Sequence, residues 1–223
     1  MKQFFKTLVL MVGLFLLSQV PSLIIGGVLA YNQSLDKGSF GLVQTASSTF
    51  VFLIIGALIV QIAQKRDIFS PLSGRKTRSL WVSLSIAYAI IVLGNVLSSW
   101  VLKLEGQTDT VNQAGLYDLM KMVPIPLFFV MVVVVAPITE EIIFRGLAAK
   151  YLFPKKEWVG LIAGSAIFAL VHRPTNFGSA IAYGLMSAAL AFVYWHTKDI
   201  KYSMAMHTFN NLIAFVSMLI SPI

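Results

Sequence analysis

The sequence predicts an all-α fold, a polytopic bundle of transmembrane helices, and three observations predict it. Hydrophobic residues make up 57% of the 223-residue chain and charged ones only 12%, with a mean hydropathy of +0.82, outside the range of soluble domains. The apolar residues form long runs rather than alternating with polar ones. Lys and Arg collect in the short segments between those runs, as they do in proteins sorted by the positive-inside rule. At ~20 residues per span, the chain holds about seven spans with short connections and no room for a separate soluble unit. Residues 1–223 therefore read as one integral membrane domain, with scaffold spans in 1–121 and the chemistry-bearing spans in 122–221.

Seven apolar segments follow one another at roughly 7–30, 42–63, 80–102, 123–150, 158–172, 178–196 and 202–221. The first follows the basic start Met1-Lys2-Gln3-Phe4-Phe5-Lys6 but is too long for a signal-peptide core, so it is expected to be a retained span. Segments one to three carry little beyond apolar residues and are expected to be scaffold. The fourth is long and contains Pro124, Pro126 and Pro137, which predicts two helices meeting near Ala136 and leaves room for an eighth element. Small residues at Gly26-Gly27 and Gly164-Ser165-Ala166 are expected at helix contacts.

The loops orient the bundle. Lys65, Arg66, Arg75, Lys76 and Arg78 face only Asp67 in the 64–79 connection, whereas 103–121 carries Glu105, Asp109 and Asp118 against Lys103 and Lys121. The first connection is expected in the cytoplasm and the second outside. Alternation then puts the N-terminus, Lys150, Lys155, Lys156, Lys198 and Lys201 in the cytoplasm, the Asp36/Lys37 loop and C-terminus outside, and leaves Arg173 as the exception. The net charge of +8 is accounted for by these loops and anionic lipid, so a nucleic-acid partner is not expected. Cys is absent, which excludes disulfides, thiolate ligands and a cysteine nucleophile.

Charge inside the fourth segment needs a reason. Thr139-Glu140-Glu141-Ile142-Ile143-Phe144-Arg145 follows an uncharged valine run, and an ionised group at membrane depth costs several kcal/mol unless paired or hydrated. On a helix Glu141 reaches Arg145, His172 lies above Phe168, and His207 shares a face with Asn211. Counting ~1.5 Å per residue, Glu140, His172, His207 and Asn211 fall at overlapping depths, and a shared site in the inner half of the bilayer, open toward the cytoplasm, is expected. A carboxylate and an imidazole around one water can move its proton to a leaving amine, and a second imidazole with an amide can stabilise an oxyanion. Alternatively Glu140, His172 and His207 would ligate zinc, if a metal is used at all. Each group also has a structural reading: an ion pair for Glu141 and Arg145, a helix cap for His172, and interhelical hydrogen bonds for His207 and Asn211.

Glu-Glu-x-x-x-Arg at Glu140, Glu141 and Arg145, Phe-x-x-x-His at Phe168 and His172, and His-x-x-x-Asn at His207 and Asn211 occur in that order on consecutive segments. This ordered set resembles the CAAX prenyl endopeptidase and bacteriocin-immunity (CPBP or Abi) family of intramembrane proteases, over about residues 137–212. The resemblance implies a peptidase in which Glu140 activates water with help from His172, His207 and Asn211 stabilise the oxyanion, and Glu141 with Arg145 orients Glu140. It implies membrane-associated or prenylated-type peptide substrates; the short length and lack of a targeting tail are expected of a bacterial cell-membrane protein, for which the resemblance implies a role in immunity or peptide processing. No His-Glu-x-x-His or Gly-x-Ser-Gly is present, nor a Gly-x-Gly-Asp to complete Tyr117-Asp118, so other intramembrane protease classes fit less well. A non-catalytic immunity or binding protein of the same fold, and a transporter, are the competing classes. A transporter predicts matching halves, yet the polar residues here fall in one.

Overall fold

In a bilayer, backbone N–H and C=O groups must pair within the protein, which drives apolar spans into helices. A computed structural model describes residues 2–36, 40–76 and 78–220, and among these there are eight helices and no strand. They are α1 Lys2–Ser34, α2 Leu42–Lys65, α3 Leu80–Leu104, α4 Val111–Met122, α5 Ile125–Leu152, α6 Glu157–Val171, α7 Phe177–Thr197 and α8 Ile200–Ile220. Each of the seven apolar segments coincides with one helix. Lys37 and residue 221 lie outside the described residues.

Local signals set several boundaries. The side chains of Ser79, Thr110 and Asn176 accept N–H bonds from Val82, Gln113 and Ser179 at 3.3, 3.1 and 2.8 Å, capping α3, α4 and α7. Lys198 ends α7 in the left-handed region at φ 64°.

Two expectations are corrected. The fourth segment does not split near Ala136: α5 is continuous, with Pro124 and Pro126 at its start and Pro137 accommodated by a wide π-type turn at Val130–Val135, and a second such stretch runs over Ile142–Leu152. The eighth element is instead α4, a 12-residue helix within the connection expected to be a loop, and Asp118 lies on it. Among the described residues six helices are long and apolar enough to cross a membrane; α6, at 15 residues, is not. It rises about 22 Å against a hydrocarbon core of ~30 Å, so its C-terminal end stops partway.

Helix α5 is the centre of the bundle, buried at every position from Glu141 to Ala149. Against it packs α6 through Gly160 and Gly164, four residues apart. A Cβ on Gly160 would lie 2.0 Å from the Ala148 carbonyl oxygen, and one on Gly164 1.9 Å from that of Phe144, so only glycine permits this approach. Gly26 and Gly27 differ from expectation: a Cβ on either meets nothing within 4 Å, so they make no close helix contact.

The basic segments meet at one end. Lys150 Nζ donates to the carbonyls of Asp67 and Ser70 at 2.6 and 2.5 Å, Ser73 Oγ to Glu157 at 2.7 Å, and the Leu72 N–H to the Lys198 carbonyl at 2.9 Å. At the opposite end Glu105 accepts from the N–H groups of Phe177 and Gly178 at 2.9 and 3.1 Å. That contact ties the end of α3 to the start of α7.

Candidate functional site

Neighbouring residues on a helix point about 100° apart, and the two adjacent carboxylates of α5 accordingly enter different surroundings. Glu141 is fully buried and Glu140 is 24% exposed in its side chain. Val132, Ala136 and Glu140 form one stripe along a cavity of about 520 Å³, which His172, His207 and Asn211 also line. These four polar groups are the ones the sequence expected to meet.

Behind them Glu141 is the hub of a dry network. Its Oε1 lies 3.0 Å from both His207 Nδ1 and Arg145 Nη1, and its Oε2 accepts from Ser203 Oγ at 2.5 Å. Arg145, also 0% exposed, pairs with Glu141 through charge rather than an aligned hydrogen bond. Its Nη2 donates to Ser187 Oγ at 2.8 Å, and its guanidinium sits 4.2 Å over the Phe168 ring, a desolvated cation–π contact. Glu141 and Arg145 thus hold His207, which lines the cavity, rather than contacting Glu140 as the resemblance implied.

The imidazoles are oriented through Nδ1. His207 Nδ1 is bound by Glu141, which leaves Nε2 3.8 Å from Glu140 Oε2, beyond hydrogen-bond length but within reach of a small shift. His172 caps α6, with Nδ1 2.8 Å from the Phe168 carbonyl and its ring stacked on Tyr183 at 4.6 Å. Because α6 is short, this histidine is delivered to the cavity rather than to the membrane surface.

Asn211 owes its place to Pro137. In the wide-turn register, where the Ala136 N–H bonds the Met131 carbonyl, the next bond would run from residue 137 to Val132. Proline has no N–H to make it, and Asn211 Nδ2 donates to the Val132 carbonyl instead at 2.9 Å. One N–H of its amide remains for the cavity.

The sequence reading missed Ser203, Ser187 and Tyr183. Ser203 lies four residues before His207, on the same helical face, a signal that was available. Ser187 and Tyr183 are revealed only by the docking of α7 on α5 and α6. Among the described residues no three His, Asp or Glu side chains are placed to hold a metal ion. Glu140, His172 and His207 thus share a cavity without forming an assembled three-ligand site.

The cavity reaches the end of the bundle away from the basic loops. Thr108, Asp109, Gln113 and Ser217 line the cavity, at the end of the bundle away from the Lys150 and Lys198 contacts. Depth along a helix fixed the height of the polar groups but not which end was unroofed, and the short α6 leaves open the end where His172 lies.

Comparison with known proteins bears on the same region. Residues 122–213 match the family model of the type II CAAX prenyl endopeptidase Rce1-like proteins. The UPF0177 protein YvdC of Lactococcus lactis is 28% identical over 181 residues, covering 79% of this chain and 68% of its own. YbdI of the same organism is 26% identical over 172 residues, covering 74% of this chain and 92% of its own. No solved structure matches. The segment of this multi-pass membrane protein that is similar to the type II CAAX prenyl endopeptidase Rce1-like family is thus the one that carries all seven motif residues, in line with the resemblance those motifs suggested.

Proposed function

We propose that the protein is an intramembrane peptidase of the cell membrane that hydrolyses peptide bonds in membrane-associated or prenylated-type peptides. The observation that carries this reading is the convergence of Glu140, His172, His207 and Asn211 on one cavity, with Glu141 and Arg145 buried behind them. Glu140 takes a proton from water held beside His172, and the water oxygen adds to the peptide carbonyl carbon. With Nδ1 engaged by a carbonyl oxygen, His172 keeps Nε2 as an acceptor that helps hold this water. His207, fixed through Nδ1 by Glu141, and the spare Asn211 N–H stabilise the oxyanion. Collapse breaks the C–N bond, and the proton on Glu140 passes to the departing amine. No step is routed through a metal. Processing of bacterial peptides, or immunity to them, is the physiological setting we propose.

The test is cleavage of a quenched-fluorescence peptide library by purified protein in detergent. Wild type is expected to cleave, and Glu140→Gln to lose about 10²–10⁴-fold in rate, the worth of a positioned general base, with unchanged thermal stability. Full activity of a well-folded Glu140→Gln protein would overturn the reading and favour a binding protein of the same fold.

A further inference from the structure

Positive charge and cavity mouth lie at opposite ends of the molecule. Two Lys precede residue 7, five Lys or Arg fall in 65–78, three in 150–156 and two in 198–201, which is twelve of the 17 in the chain. The contacts of Lys150 with Asp67 and Ser70, of Ser73 with Glu157 and of Leu72 with Lys198 gather these segments at one end. In the remaining loops of the sequence, Lys37, Lys103, Lys121 and Arg173 are balanced by Asp36, Glu105, Asp109 and Asp118. A bias this strong in short loops places the basic end in the cytoplasm.

The cavity reaches the other end. From Glu140 and His207 it is lined by Asn210, Ser217, Ser99 and Thr108, while Thr110 Oγ1 and Tyr183 Oη, 2.7 Å apart, join the start of α4 to α7 at its rim. Its lining includes the carboxylates of Asp109 and Glu140 and no Lys or Arg. A pocket with low-dielectric walls and charge of one sign concentrates the opposite sign.

We infer that the site takes its peptide from the non-cytoplasmic face of the membrane, and that this peptide segment is neutral or cationic rather than acidic. The inference rests on the proposed peptidase activity for the word substrate, but the side of entry does not. Exported or externally presented peptides therefore become the substrate class, in place of tails made and held in the cytosol.

The lack of cysteine allows a direct test. Thr108→Cys, at the mouth, and Lys156→Cys, at the basic end, are both exposed positions and would be probed with a membrane-impermeant maleimide on intact cells expressing each variant. Labelling of Thr108→Cys in intact cells, with Lys156→Cys labelled only after permeabilisation, is expected. The reverse pattern, or labelling of both from outside, would overturn the inference. Asp118→Cys, exposed on the same end as Thr108, replaces Thr108→Cys if that variant is not produced. These readouts stand whether or not the protein cleaves anything, so failure of the peptidase reading is distinguishable. For the charge preference, Lys-rich quenched peptides are expected to be cleaved several-fold faster than Glu-rich peptides of equal length, with the gap closing at 1 M salt. Equal rates at low salt would refute that part.

Discussion

Replacing Arg145 by Met removes one partner of a buried ion pair and should be among the most damaging single changes in the molecule. Both side chains are 0% exposed with Nη1 3.0 Å from Oε1, so loss of the cation strands the Glu141 carboxylate with only His207 and Ser203. Breaking a pair of this kind costs about 3–5 kcal/mol. Met fits along the Phe168 ring and regains roughly 0.3–1.5 kcal/mol through its sulfur, which partly replaces the attraction between that ring and the guanidinium 4.2 Å above it. Adding Glu141→Gln removes the stranded charge, so the double variant should be more stable than Arg145→Met alone, with a coupling energy of roughly 2–3 kcal/mol. Unfolding in mixed micelles, followed through the fluorescence of the four tryptophans, gives all four corners of the cycle. An Arg145→Met protein within ~1 kcal/mol of wild type, the worth of an exposed pair, would refute the account of a dry network.

Three other outcomes are expected. Asn211→Leu should cost about 1–3 kcal/mol by orphaning the Val132 carbonyl, and Pro137→Ala in that background should restore part of it by returning an N–H; no rescue in the same unfolding assay would refute the register argument. Gly164→Ala forces a Cβ onto the Phe144 carbonyl and should cost ~1–3 kcal/mol, seen as a lower midpoint and a weaker yield of folded protein. Peptidase activity should survive chelation, and elemental analysis of purified protein should give well below one zinc per chain; zinc at one per chain, removed together with activity, would reject the metal-free scheme.

Hydropathy made the spans legible because a bilayer imposes one length and one chemistry on every crossing element. The site residues were legible for a different reason: ionisable groups in apolar runs are expensive, so Glu140, Glu141, His207 and Arg145 stood out against their neighbours. Helix α4 was hidden because Val111–Met122 mixes polar and apolar residues and has no buried position. The wide turns of α5 have no residue signature, and Pro137 therefore read as a break rather than as the cause of the Asn211 contact. Ser187 and Tyr183 act across helices, and their partners follow from the Gly160 and Gly164 approach that brings α6 onto α5. The end at which the cavity opens was not legible because loop charge and site depth were weighed separately, and only three-dimensional packing shows which end is unroofed.

The shortness of α6 also shapes the electric field across the molecule. Water that follows the cavity down to Glu140 carries the potential of the solution at that end with it, so the transmembrane voltage falls across the remaining thickness of packed protein. A lone charge moved through that thickness would feel about 2.3 kcal/mol per 100 mV. Glu141 and Arg145 sit in this seal as a pair of zero net charge, on which the voltage exerts no net force. The polar interior therefore ends in a charge pair that the membrane potential does not displace.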